Sequence, residues 1–167
     1  MSLIFGIIIV LVVCFGGVLL FGAPYLPSLS KQTRAAIQLA GPAKGGTLLE
    51  LGCGDGKVVI AAAEAGWRVV GYELNPILAA ITWLRTRKYR DRVRVVYGNF
   101  WTAEWPECQV IFTFLLPKYM NKLSNKVIQE CDESVKLVSF AFVVPNTRPS
   151  KELDGVFAYE GRRLRSR

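Results

Sequence analysis

The stretch that most restricts the fold is Thr47–Pro76, TLLELGCGDGKVVIAAAEAGWRVVGYELNP. An apolar run over Thr47–Leu51 leads into glycines at alternate positions, Gly52, Gly54 and Gly56. An alanine-rich segment then predicts a helix from about Lys57 to Ala65, stopped at Gly66, before a second strand over Arg68–Glu73. Asn75 followed by Pro76 is an N-cap with proline at the first helical position, and Ile77, Leu78, Ile81 and Leu84 give the next helix one apolar face up to about Tyr89. The alternation continues with strands over Arg92–Tyr97, Gln109–Leu115 and Lys136–Val144, a helix marked by Met120, Leu123, Val127 and Cys131, and one further strand in GVFAYEG. Upstream, Ser30 caps a helix over Lys31–Ala40 with Ala35, Ala36 and Leu39 on one side, ended by Gly41 and Pro42. Strand and helix in alternation imply an α/β fold, a doubly wound and mostly parallel sheet covered by helices on both faces.

In such a sheet ligands bind at the carboxyl ends of the strands, closest to the turn after the first one. ELGCGDG falls there, with glycines that let the backbone bend and approach a ligand, and a helix whose free amides point at it. The spacing G-x-G-x-G departs from the G-x-G-x-x-G of dinucleotide sites, which would place a glycine at Lys57, and no G-x-x-x-x-G-K-[ST] follows. Glu50 and Asp55 bring negative charge, which suits the ammonium and sulfonium of S-adenosylmethionine better than a pyrophosphate. Glu73, closing the second strand, is placed to accept both ribose hydroxyls.

LLELGCGDGKVV together with GYELNP resembles motif I and the following acidic motif of class I S-adenosylmethionine-dependent methyltransferases, whose sheet is Rossmann-like. The amino-terminal apolar run, YLPS, GYELNP and VIFTFLLPKYMNKL are similar, more narrowly, to the membrane-anchored protein-lysine methyltransferases whose mitochondrial members modify the ATP synthase c-subunit and the adenine nucleotide translocase. The resemblance implies that Glu50, Gly52, Gly54 and Gly56 frame the methionine moiety and that Glu73 holds the ribose. Cys53, Asp55, Leu74 and Phe100 belong to the same cofactor-binding stretches. Asn99, in GNFW, stands where such enzymes commonly carry an aspartate near the adenine amine, and its carbonyl oxygen still accepts that bond. Thr113–Tyr119 would line the substrate side, with Trp101, Leu116, Pro117 and Tyr119 as candidate substrate residues. The Asn-Pro-Pro-Tyr signature of several nucleic-acid methyltransferases is missing there, which argues against a nucleic-acid partner.

Leu3–Gly22 is a run of 20 residues without a charge. At about 1.5 Å per residue it matches the roughly 30 Å hydrocarbon layer. No basic segment precedes it and no A-x-A-like cleavage site follows, so an uncleaved anchor over residues 1–22 is expected rather than a signal peptide. A proline-bearing linker over residues 23–30 and a methyltransferase domain over residues 31–167 complete the expected division. Lys31, Arg34 and Lys44 follow the span, placing the amino terminus outside and the domain on the cytoplasmic side, or the matrix side in a mitochondrion. The net charge of +8 resides wholly in the polar part. Its basic runs, Arg85–Arg94 and the closing RRLRSR, are candidates for contact with anionic lipid as well as plain solvated surface.

The four cysteines show no metal-ligand or disulfide spacing, no metal site is expected, and the chain has no histidine. No catalytic residue is assigned. Methyl transfer to a lysine needs mainly alignment and an uncharged amine, which desolvation beside a sulfonium favours. Trp101 and Tyr119 are placed to guide such a cation by aromatic attraction, although plain packing accounts for them as well. Three functions lead on sequence: a lysine methyltransferase for a membrane or membrane-proximal protein, a methyltransferase for a lipid, quinone or other hydrophobic acceptor, and a membrane-bound S-adenosylmethionine-binding module without turnover. RNA methylation is a further one, suggested by the +8 charge, for which a membrane anchor would be an odd device.

Overall fold

The computed structural model describes residue 5 and residues 30–166. The expected anchor and all but the last residue of the linker lie outside the described residues, residue 5 apart. Among the described residues no helix is long and apolar enough to cross a membrane.

The elements alternate as α1 (Ser30–Ala40), β1 (Thr47–Leu51), α2 (Lys57–Glu64), β2 (Arg68–Glu73), α3 (Pro76–Arg85), a 3-10 turn (Arg87–Tyr89), β3 (Val93–Tyr97), β4 (Val110–Thr113), α4 (Pro117–Glu130), β5 (Lys136–Phe140), β6 (Lys151–Leu153), β7 (Val156–Glu160) and α5 (Gly161–Arg165). One sheet holds all the strands in the order β3-β2-β1-β4-β5-β7-β6. β1 to β5 run parallel, while β7 is antiparallel to both β5 and β6.

Alternation along each central strand sorts the core into two layers, as the pleat requires. Leu48, Val69, Val110, Phe112 and Val138 meet Ala35, Ala36 and Leu39 of α1 and Val58, Val59, Ala62 and Ala63 of α2. Leu49, Leu51, Ile111, Leu137 and Tyr159 face Met120, Leu123 and Val127 of α4 and Leu164 of α5. The connection from β3 to β4 contains no helix, and Phe100, Trp101, Trp105 and Cys108 cover this second face instead. The Trp105 Nε1 donates to the Phe100 carbonyl at 2.9 Å, which folds that connection on itself.

Several elements differ from the sequence reading. α3 ends at Arg85 rather than near Tyr89, where the 3-10 turn follows, and β4 covers Val110–Thr113 rather than Gln109–Leu115. β5 stops at Phe140 rather than Val144, because Ala141 takes φ 66° and the Ser139 hydroxyl holds the Phe142 carbonyl at 2.6 Å, turning the chain out of the sheet. The carboxyl-terminal region forms a hairpin rather than a single strand. Asp154 and Gly155, at φ 52° and 74°, make its two-residue turn, the Asp-Gly chemistry that such hairpins favour. α3 buries Leu78, Ala79 and Thr82 instead of an isoleucine and leucine face, and leaves Ile81 and Leu84 outside. Threonine is tolerated inside because its hydroxyl is satisfied: Thr82 Oγ1 donates to the Gly54 carbonyl at 2.6 Å, and Thr86 Oγ1 to the Thr82 carbonyl at 2.8 Å.

Candidate functional site

Parallel pairing in register, Leu51 with Tyr72 and Leu51 with Thr113, ends β1, β2 and β4 at one level, so the loops after them share an edge. The glycine loop is built from that edge. The amides of Gly52 and Cys53 both donate to the Tyr72 carbonyl at 2.9 Å, and Gly56 N–H donates to the Cys53 carbonyl at 2.8 Å. Gly52, Gly54 and Gly56 take φ of 85°, 54° and 79°, the left-handed region open to glycine at little cost. Gly52 faces open space where a side chain would stand. Gly56 is closed in: a Cβ there would lie 2.7 Å from Thr82 Cγ2.

Glu73 latches the loop to the next strand. Its Oε2 accepts from Gly54 N–H and its Oε1 from Asn75 N–H, each at 2.8 Å. A carboxylate has about four acceptor positions, so each oxygen keeps capacity for a further donor. Asn75, fully buried, caps α3 through Oδ1 to the amides of Ile77 and Leu78 at 2.9 and 3.2 Å. The Glu73 carbonyl accepts from Gly98 N–H at 2.9 Å, which ties in the loop after β3.

The acids of the loop divide by environment. Asp55 is half-buried and is paired with Arg85 of α3 at 2.7 Å and Lys57 at 3.7 Å. Its expected contribution to a cationic ligand is therefore taken up by these partners. Glu50 is 4% exposed, and its Oε2 has no hydrogen-bond partner among the described residues. Burial, then the nearby carboxylates of Glu73 and Asp55, push its carboxyl well above the ordinary range, while the Val59 amide of α2 pulls the other way. The same causes, burial and then Glu50 and Glu73, raise the Cys53 thiol, so this buried cysteine is no nucleophile. An uncompensated buried acceptor beside a glycine cradle is a site for a positively charged or donor-bearing ligand.

The other sequence candidates fall around this edge. Leu74 is half-buried beside Glu73, and Phe100 is 8% exposed. Asn99 turns its Oδ1 to its own loop, accepting from Trp101 N–H at 3.0 Å, so its carbonyl oxygen is already engaged. Leu116 is the N-cap of α4 and Pro117 its first residue. Trp101 and Tyr119 come together at 6.0 Å between ring centroids, joining the loop after β3 to the first turn of α4. Their faces are in use within the chain. Lys122 Nζ lies 4.4 Å over Trp101, and Lys118 Nζ lies 4.8 Å over Tyr119. Each ring therefore already holds a cation over one face, which the sequence reading does not foresee.

Thr82, Asn75 and Arg85 hold the loop in shape without having been singled out as site residues. Only Asn75 gave a sequence signal, as an N-cap; a threonine on a buried helix face has none. Thr113 ends β4 with a buried hydroxyl that lacks a partner among the described residues. A cavity of about 550 Å³ lined by Ala43, Gly46, Trp67 and Gln109 lies at the amino ends of the strands, away from this edge.

A doubly wound sheet whose seventh strand is reversed, with a carboxylate-latched glycine loop after its first strand, defines a Rossmann-like methyltransferase fold. A solved structure of this fold, an RNA methyltransferase from Salinibacter ruber in complex with S-adenosyl-L-homocysteine, is similar with a TM-score of 0.74 and 27% identity, covering 80% of this chain and 91% of its own. The family model for the ANTKMT methyltransferase domain matches residues 50–151, and the chain belongs to that family. Among curated relatives, the human lysine N-methyltransferase of the ATP synthase c-subunit is 29% identical over 152 residues, 86% of this chain. The chain spans 64% of that relative's length. A protein-lysine N-methyltransferase from Saccharolobus islandicus is 29% identical over 132 residues, 77% of this chain and 82% of its own length.

Proposed function

We propose that the protein transfers a methyl group from S-adenosylmethionine to a lysine side chain of a membrane or membrane-proximal protein. The observation that carries the cofactor reading is the orphaned Glu50 Oε2 beside the open cradle of Gly52, a place for a ligand that brings both cationic charge and N–H donors. In this reading Glu50 and the amides of Gly52 to Gly56 hold the amino-acid end of the cofactor. Glu73, fixed by two amides, accepts from the ribose hydroxyls, and Asn99 and Phe100 flank the adenine. When bound, the cofactor supplies a methyl group already activated on sulfonium. The chain's own residues then have to align the acceptor and keep it uncharged, and the like charges of Lys118 and Lys122 over Tyr119 and Trp101 favour the neutral amine. The proton leaves to water or a carboxylate, since no histidine is present.

The lysine acceptor is supported by relatives named as lysine N-methyltransferases. Membrane proximity is supported by Leu3–Gly22, taken here as a single-pass anchor with the domain on the cytoplasmic or matrix side. A second reading, a nucleic-acid acceptor, is favoured by the Salinibacter protein and by the +8 charge. Transfer of a tritiated methyl group from S-adenosylmethionine into isolated membranes separates the two. The lysine reading expects label that protease releases and that lysine-directed amino-acid analysis recovers as methyl-lysine. Label released by ribonuclease, or extracted with lipid, overturns it. Glu73→Ala should weaken S-adenosylhomocysteine binding by about tenfold or more, equivalent to about 1.4 kcal/mol, as expected from losing charge-assisted hydrogen bonds.

A further inference from the structure

The outer face of α3 departs from the pattern of a surface helix. Leu78, Ala79 and Thr82 point inward, yet Ala80, Ile81, Trp83 and Leu84 all lie on the solvent side. Ile81 is 37% exposed, Trp83 58% and Leu84 54%. No charged residue interrupts the helix before Arg85. A surface helix ordinarily turns polar residues outward, and grouped exposed apolar side chains mark a contact surface. Tyr97, also exposed, belongs to the same side of the molecule, because it ends β3, the edge strand on which α3 packs.

The border of this patch carries charge of one sign. Arg85–Arg94 contains Arg85, Arg87, Lys88, Arg90, Arg92 and Arg94 against Asp91 alone. Arg85 is held by Asp55, Lys88 by Glu64 and Arg92 by Asp91. Arg87, Arg90 and Arg94 are exposed and form no ion pair among the described residues, Arg87 lying instead 5.9 Å over the Trp83 ring. Tryptophan, leucine and isoleucine beside unneutralised arginines is the chemistry of a helix lying in a membrane interface, apolar side chains at the acyl boundary and cations among anionic headgroups. A second copy of the chain fits this border poorly, since a two-fold pairing of the face would set its arginines against one another.

We propose that the outer face of α3, with the segment that follows it, seats the domain on an anionic bilayer surface. Ile81, Trp83 and Leu84 enter the headgroup boundary, and Arg87, Arg90 and Arg94 meet the headgroups. The seat bears directly on the candidate site. α3 touches the glycine loop through Thr82 to Gly54 and Arg85 to Asp55, so the loop sits about one helix diameter, roughly 10 Å, from the lipid. Such a seat would hold whatever acceptor the domain methylates.

The test uses the full-length protein with vesicles of phosphatidylcholine alone or of phosphatidylcholine with phosphatidylserine, each prepared with and without brominated acyl chains. Trp83 emission, isolated as the difference between wild type and Trp83→Leu, should be quenched by brominated chains in the serine-containing vesicles and much less in the neutral ones. Comparing the two vesicles removes any common attachment through the amino-terminal run. High salt should abolish the difference, and Arg87→Glu with Arg90→Glu and Arg94→Glu should lower the quenched population by about tenfold or more. Wild-type salt dependence decides the matter even where the triple variant fails to fold, which a circular-dichroism melt would reveal. Trp83 unquenched in anionic vesicles, equal quenching in both vesicles, or cross-linking of Trp83 to a second copy overturns the proposal.

Discussion

Gly56→Ala, made alone and in a Thr82 variant, tests whether the glycine loop is wedged against α3. Gly56 is the N-cap of α2 at φ 79°, ψ 18°, so alanine there costs roughly 1–2 kcal/mol in left-handed backbone alone. Its Cβ would also stand 2.7 Å from Thr82 Cγ2 and 3.1 Å from Thr82 Oγ1. Relieving such an overlap in a packed site adds about 1–3 kcal/mol. The single change should therefore cost about 2–5 kcal/mol, or about 4–20 °C in Tm at roughly 2–4 °C per kcal/mol for a chain of this size. Thr82→Ser keeps the hydroxyl that holds the Gly54 carbonyl but deletes the methyl group in collision. In that background Gly56→Ala should cost only the backbone term plus a smaller contact, about 1–3 kcal/mol. Thermal denaturation of the four full-length proteins followed by circular dichroism gives the cycle. Additivity within about 0.5 kcal/mol would refute the wedge, because independent sites add to that precision.

Two further changes probe the same edge. Glu50→Gln should raise Tm relative to wild type by an amount that grows with pH. The folded carboxyl titrates above its ordinary value of 4.5, so the wild-type contribution is intact below that pH and is lost as pH rises through the folded value. Melts at pH 5 and pH 8 without ligand check this, and a difference that stays constant with pH refutes it. Asn75→Ala should cost about 1–2 kcal/mol by uncapping α3, visible as a lower urea midpoint, with Asn75→Ser recovering most of it because serine caps nearly as well.

The parts of this protein legible in its sequence are those set by neighbours along the chain. The glycine spacing, the Asn75–Pro76 cap and the carboxylate ending β2 are local statements, and each stands where the sequence put it. What escaped depends on partners far along the chain. Asp55 read as a charge for a ligand because Arg85, 30 residues on, gave no sign that it would neutralise it. Apolar periodicity turns the wrong face of α3 inward because it ranks isoleucine above threonine, whereas packing against a glycine loop selects the small side chain that can also donate to a carbonyl. The Asp154–Gly155 turn carries Asp-Gly hairpin chemistry that the reading of GVFAYEG as one further strand does not use.

The position of α1 sets a path for mechanical load. Its first turn is tied by Lys31 to Asp154 in the β6–β7 turn at 2.8 Å, and its last carbonyls, Leu39 and Ala40, are gripped by Lys136 of β5, each at 3.1 Å. Force arriving at Ser30 from the preceding chain therefore divides, passing through these polar ties into the reversed hairpin and β5, and through the packing of Ala35, Ala36 and Leu39 into α2, the helix that opens at Gly56. A pull at that end is thus shared between the hairpin, which stands away from the glycine loop, and the helix that the loop itself caps.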